Sequence, residues 1–206
     1  MCGKCAAVCP QSALEIFGTE MSTDEICMAL LKDRDFYAES GGGITLSGGE
    51  CLLQSEACCE ILKTMKQNGI NTAVDTCGFV PRSAIDKVMP YTDTFLYDIK
   101  SIDEDVHIKC TGQSNKIILD NLTYLDTCGA KSEIRIPYIP NYNDNQISKI
   151  AEFISVLKNI IRIRVLPYHN YAKSKYSALN IKNTLPSLMP SEEEIKKLIQ
   201  QYRAYL

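Results

Sequence analysis

The sequence predicts an α/β fold on a parallel sheet, and three observations carry the prediction. Short apolar runs alternate with amphipathic helical stretches of about ten to fifteen residues. Each apolar run ends in a polar turn. The chain has 206 residues, 45% hydrophobic and 23% charged, enough for one sizeable core and too little for two generous ones.

The elements follow in order. Ser22-Thr23-Asp24-Glu25 is a capping box, and Ile26, Ala29 and Leu30 share the face behind it, which predicts a helix to about Arg34. Gly41-Gly42-Gly43 breaks the chain, and Ile44-Thr45-Leu46 reads as a short buried strand ending in Ser47-Gly48-Gly49-Glu50. Cys58, Ile61, Leu62 and Met65 form a helical stripe closed by Gly69, and Asn71 to Val74 is a strand ending in Asp75-Thr76-Cys77-Gly78. A short helix with Pro81 near its start carries Ile85, Val88 and Met89. Thr94 to Tyr97 is the third strand, ending in Asp98-Ile99-Lys100. Ile118, Leu122 and Leu125 mark a helix closed near Gly129, followed by the strand Glu133 to Pro137. Ile147, Ile150, Ala151 and Ile154 make the next helix, and Ile161 to Leu166 the last strand, which leads into Pro167-Tyr168-His169. Asn170 to Pro190, rich in Lys, Ser, Asn and Pro, reads as an exposed loop. Ser191 to Glu194 then caps a helix with the face Ile195, Leu198, Ile199 and Tyr202. Five strands separated by helices imply right-handed crossovers.

Charge and composition exclude several roles. A net charge of -3 with no long Lys/Arg block gives no nucleic-acid footprint. No apolar run approaches the roughly 18–20 residues of a membrane span, and Met1-Cys2-Gly3-Lys4 lacks a signal peptide's apolar core. The expected location is cytoplasmic. Ten cysteines in a chain of this size suit metal or redox chemistry better than a disulfide framework.

In parallel α/β folds, ligands bind at the carboxyl ends of the strands. Those ends deliver Glu50, Asp75, Asp98, Lys100 and His169 to one rim, with Arg135 inside the fourth strand, on the side opposite Ile134 and Ile136. Each has a plainer explanation: helix caps for Asp75 and Asp98, a surface arginine, a loop histidine, a bare Gly-Gly turn. Their coincidence at one edge favours a site. Carboxylates and cations together suit a zwitterion such as an amino acid, and Gly41 to Glu50 lacks the G-x-x-x-x-G-K-[ST] arrangement that cradles phosphates. At the N-terminus, Cys2-x2-Cys5-x3-Cys9-Pro10 approximates the end of a ferredoxin-type cluster run, with a zinc knuckle or plain reduced thiols as alternatives. Cys58 and Cys59 read as small hydrophobes on a helix.

The stretch Ser40-Gly41-Gly42-Gly43-Ile44-Thr45-Leu46-Ser47-Gly48-Gly49-Glu50, followed by Leu52-Leu53-Gln54, resembles the glycyl-radical-enzyme activating enzymes, the pyruvate formate-lyase activating enzyme family of radical SAM proteins. Thr72 to Gly78, Phe95 to Lys100, Thr111-Gly112 with Asn115, Arg135-Ile136-Pro137 with Ile139-Pro140, and Leu166 to His169 agree in order, so the similarity covers nearly the whole chain. The resemblance implies a partial barrel of six βα units that binds S-adenosylmethionine (SAM) beside a [4Fe-4S] cluster. It also implies a 5′-deoxyadenosyl radical that takes hydrogen from a backbone glycine of a partner glycyl radical enzyme, with flavodoxin or ferredoxin as electron donor. Residue by residue, it assigns Gly48, Gly49 and Glu50 to the methionyl amine, and Asp98, Ile99 and Lys100 to the carboxylate and ribose side. It also implies that Arg135 and His169 line the SAM site, which Asp75 joins by its place at the same rim, and that Cys2, Cys5 and Cys9 would serve an auxiliary cluster.

The sequence departs from that family in three ways. It has no C-x3-C-x2-C motif, the ligand set of the SAM-binding cluster, nor the strand expected before it. Cys2, Cys5 and Cys9 look like the tail of the ferredoxin-like insert that follows this motif in many such activases. Cys51 stands where the family usually has proline. The expectation is therefore a portion of an activase, with residues 1–20 a remnant of the insert and 21–206 a radical SAM partial barrel holding five of six strands, inactive by itself. A non-catalytic partial barrel that binds SAM or a partner enzyme is the alternative, and a small electron carrier built on the N-terminal cysteines is a third.

Overall fold

The structure is a computed structural model that describes residues 3–16, 18–171, 173–182, 186 and 189–203. After a four-residue helix α1 (Lys4–Ala7) the chain forms α2 (Thr23–Leu31) and α3 (Arg34–Ser40). It then alternates: β1 (Gly43–Leu46), α4 (Ser55–Gln67), β2 (Asn71–Thr76), α5 (Arg82–Val88), β3 (Thr94–Asp98), α6 (Glu104–Thr111) and α7 (Lys116–Thr127), β4 (Ser132–Tyr138), α8 (Ile147–Ser155), β5 (Ile160–Pro167). The C-terminal part adds α9 (Lys173–Ala178) and α10 (Glu192–Arg203).

The five strands form one sheet in sequence order, and every neighbouring pair is parallel. Helices pack on one face. Val74, Phe95, Tyr97, Ile134 and Ile136 point from the sheet into a core completed by Leu62, Met65, Ile85, Leu122, Leu125, Ile150 and Ile154. The other face carries Asp75, Asp98, Glu133 and Arg135, the alternate positions of the same strands. That face is concave. Strands β2 and β4 are separated by β3, so their backbones lie about 9.6 Å apart. Even so, Arg135 Nη1 reaches Asp75 Oδ2 at 3.0 Å, arching over β3.

Four helices depart from the sequence reading. The capped helix α2 ends at Leu31 rather than Arg34, because Lys32 and Asp33 donate their N–H groups three residues back and tighten the last turn. A separate helix, α3, follows, and it ends at Gly41 in the left-handed region (φ 65°). It buries no residue and leaves Phe36 exposed, so it presents no apolar stripe to read. Helix α6 buries only His107, for the same reason. The loop expected from Asn170 to Pro190 contains α9, which is too short to show a periodicity. The capping boxes at Ser22/Glu25 and Ser191/Glu194 are both formed. No helix among the described residues is long and apolar enough to cross a membrane.

Candidate functional site

The exits of β1, β2 and β3 meet at the carboxyl edge of the sheet. After β1, Gly48 takes φ 148°, and Glu50 leads into a 3-10 turn, Cys51–Gln54. The Glu50 carboxylate accepts hydrogen bonds from the amide of Leu52 (3.2 Å), the hydroxyl of Thr76 (2.8 and 2.9 Å), and the amide (3.0 Å) and thiol (3.2 Å) of Cys77. Glu50 thus ties the exit of β1 to the exit of β2. A cysteine in place of the expected proline leaves this turn formed; the Cys51 thiol points at the carbonyls of Leu46 and Asp75.

Asp75 is not a helix cap. Its Oδ2 accepts the Ser47 hydroxyl at 2.9 Å and pairs with Arg135. Asp98 pairs instead with Lys100, with Nζ to Oδ2 at 3.3 Å. Burial raises the Asp98 carboxyl above its ordinary value, and the Lys100 and Arg135 cations only partly offset this. Ile99 is buried, and its amide donates to the Arg135 carbonyl at 2.9 Å, joining the β3 exit to β4. Cys77 is pushed up chiefly by burial, and Tyr97 beneath it well up for the same reason. Cys51 and Cys58 share a thiol contact that raises the first and lowers the second.

His169 follows β5, is exposed and stacks on Tyr171 with ring centroids 4.4 Å apart. It does not join the carboxylate and cation cluster through any hydrogen bond found among the described residues. Cys2 lies outside the described residues. Cys5 is exposed, while the Cys9 thiol accepts the Ala13 amide at 3.3 Å and is lowered by such backbone bonds. Among the described residues, no group of three or more His, Cys, Asp or Glu is arranged to hold a metal ion.

Two features escaped sequence reasoning. Glu133 is buried on the concave face among three guanidiniums: Arg164 at 3.1 Å, Arg162 at 3.6 Å and Arg135 at 3.8 Å. The alternation Glu133-Ile134-Arg135 and Arg162-Ile163-Arg164 was the available signal, because period-2 charges within apolar strands face one side. Second, buried amides hold the loops. Asn121 on α7 donates to the carbonyls of Gly78 and Val80, both at 2.9 Å. For the loop after β3, Asn115 and Asn143 donate to backbone carbonyls, and Gln146 accepts the amides of Ile102 and Asp103.

Comparison with known proteins settles the family. Residues 7–154 match the Radical SAM superfamily. The chain belongs to that superfamily. Its curated relatives are glycyl-radical-enzyme activating enzymes. It is 42% identical over 199 residues to the trans-4-hydroxy-L-proline dehydratase activating enzyme of Clostridioides difficile, covering 94% of this chain and 66% of the relative. It is 34% identical over 187 residues to the pyruvate formate-lyase-activating enzyme of Clostridium pasteurianum, covering 90% and 78%. The crystal structure of a domain of pyruvate-formate lyase-activating enzyme from Bacteroides vulgatus superposes with a TM-score of 0.66 at 34% identity, covering 80% of this chain and 94% of that one. Streptococcus suis SuiB, solved with S-adenosylmethionine, shares the fold, with a TM-score of 0.70 at 16% identity over 93% of this chain and 42% of that one. The radical SAM chain spans about two thirds of the length of the first curated relatives it matches.

Proposed function

We propose that this chain forms the SAM-binding portion of an activating enzyme that installs a glycyl radical on a partner enzyme of the pyruvate formate-lyase type. The observation that carries the reading is the concave edge, where Asp98–Lys100 and Asp75–Arg135 place two carboxylates and two cations from β2, β3 and β4 side by side. That donor set matches the ammonium, carboxylate and ribose hydroxyls of SAM. Names of the relatives support the partner class, a glycyl radical enzyme; flavodoxin or ferredoxin as electron source is proposed on the family resemblance alone.

The residues divide the work. Gly48, Gly49 and Glu50 form the amine side, with Glu50 anchored by Thr76 and Cys77 yet keeping acceptor capacity, since a carboxylate offers about four lone-pair positions. Asp98, Ile99 and Lys100 form the carboxylate and ribose side. Arg135 orients Asp75 and adds positive charge over β3. His169, at the free edge, closes the site from β5. When bound, SAM supplies the family's radical chemistry. The chain's own task is to hold it in one pose away from water.

The described residues do not fit an iron–sulfur cluster: Cys5 and Cys9 lack a third ligand there. We therefore read 1–20 as part of a ferredoxin-like insert, 21–206 as the partial barrel, and radical generation as requiring cluster ligands beyond those described. The test is a ligand-observed NMR titration of the chain with SAM. Saturable binding that weakens by about tenfold in Asp98→Asn and in Arg135→Ala is expected, the scale of one charge-assisted hydrogen bond. Unchanged affinity in both variants defeats the assignment.

A further inference from the structure

The loop that carries Lys100 is gripped by side chains that no motif contained. Asn143 lies in the β4–α8 connection and is buried. Its amide nitrogen donates to the carbonyl of Lys100 at 2.9 Å and to that of Pro137 at 2.6 Å, and its oxygen accepts the amide of Ile139 at 2.8 Å. Gln146, fully buried just before α8, accepts the Ser101 hydroxyl (3.1 Å) and the amides of Ile102 (3.2 Å) and Asp103 (3.0 Å), and donates to the Asp103 carboxylate at 2.9 Å. Asn115, at the start of α7, donates to the carbonyls of Ser101 and Ile102 at 3.0 and 2.8 Å. Backbone groups from Lys100 to Asp103 therefore end on side-chain amides from two other connections.

Such a loop would ordinarily hydrogen-bond water and move. Here its carbonyls are spent on side-chain amides of the β4–α8 connection and the start of α7, so the Lys100 backbone cannot shift without breaking buried hydrogen bonds, each expensive to leave unmade. The grip is directional. Asn143 bonds Pro137 on the strand that carries Arg135, Ile139 just past the end of that strand, and Lys100 on the loop that follows Asp98. It ties the backbone that carries Lys100 to the backbone of the strand that carries Arg135.

We infer that Asn143, backed by Gln146, is a positioning residue that sets where Lys100 stands relative to Arg135, so that both cations meet one ligand. The inference rests on the SAM reading above and adds to it a residue outside the site. Asn143 touches no ligand; it acts through Lys100.

The test is a double-mutant cycle on the 206-residue chain, read by ligand-observed NMR titration with SAM and by hydrogen exchange of the segment 99–104. Asn143→Ala is expected to speed exchange in that segment and to weaken SAM by about tenfold, the scale of one buried hydrogen bond. Lys100→Ala weakens SAM as well, and the double variant weakens it no further than Lys100→Ala alone, because the first residue works only through the second. A purely structural residue would instead give additive losses. Should Asn143→Ala fold poorly, Asn143→Asp keeps the acceptor for Ile139 and removes the donors to Lys100 and Pro137, and the same non-additivity is expected. If Lys100→Ala weakens SAM while both Asn143 variants bind as the wild type does, or if the losses add, the positioning role is overturned and the SAM site stands. If the wild type does not bind SAM, or Lys100→Ala binds it equally well, the SAM reading fails and the inference falls with it.

Discussion

The exits of β3 and β5 each bring a residue to the same rim, and the fold treats them differently. After β3, buried amides from two neighbouring connections hold the loop from Lys100 to Asp103, and Ile99 is pinned to β4. After β5, His169 is exposed and its recorded partner is the ring of Tyr171, two residues on. The difference follows from position in the sheet. An interior strand has a loop on each side to supply hydrogen bonds, whereas β5 is the last strand and has one. Rigid placement of the β3 exit thus comes from the connections that flank it on both sides.

The β2 exit belongs to the rigid class and offers the largest expected effect. Gly78 has φ 71°, and a Cβ there would lie 1.7 Å from the hydroxyl of Tyr97, a fully buried ring whose hydroxyl donates to the Ile118 carbonyl at 2.7 Å. Gly78→Ala is expected to cost about 3 kcal/mol, since both the backbone and a core ring must move. Gly49→Ala, where a Cβ meets nothing within 4 Å, should stay within about 0.5 kcal/mol. Chemical denaturation compares the two. Equal effects would break the claim that the β2 exit is held more tightly than the turn after β1.

Next comes the charge that spans the two classes. Arg135→Ala strips Asp75 of its cation and leaves Glu133 with arginines from the edge strand alone. Both partners of the Asp75 pair are partly exposed, which softens the loss to about 1–2 kcal/mol. Arg135→Lys should recover less than half of it, because an ammonium cannot reproduce the planar guanidinium that meets Asp75 at 3.0 Å while its Nε lies 3.8 Å from Glu133. Full recovery by lysine, measured by urea denaturation, would reduce the cluster to simple charge balance.

Asp98 sharpens the comparison through pH. Its folded carboxyl titrates above the ordinary value of 3.8, mainly through burial, so the folded chain binds the proton more tightly than the unfolded chain does. Stability contributed by this group is then present at low pH and is lost as pH rises from the unfolded value through the raised folded one. Asp98→Asn cannot titrate. The melting temperature of the variant should gain on the wild type as pH rises through that window and hold its lead above it. A gap independent of pH would mean that Lys100 and Arg135 fully compensate the burial.

Much of this was legible in the sequence. All five strands lie where apolar runs bounded by Gly, Asn and Asp placed them, since burial on one face demands such runs. Arg135 between Ile134 and Ile136 correctly implied a side chain on the face opposite the core. What the sequence hid was what binds the loops. Asn143, Gln146 and Asn121 look like ordinary polar residues of turns and helix faces, and only the packing of α7 and the β4–α8 connection against distant exits gives them buried backbone groups to hold. Helices α3 and α6 were invisible for a related reason, because neither buries an apolar stripe.

The smallest effect tests the free edge. His169→Ala removes an exposed ring whose recorded contact is a stack on an exposed tyrosine, so the change in stability should fall within about 0.5 kcal/mol. Its effect on SAM is the informative number. An exposed side chain with no hydrogen-bond partner among the described residues loses conformational freedom when a ligand orders it, so part of whatever His169 contributes offsets that cost, unlike Lys100, whose backbone the fold already holds. The expected loss on titration is therefore smaller than that of Lys100→Ala. A larger loss would mean that the β5 exit becomes ordered around the ligand, and that the division between held and free exits applies only to the empty site.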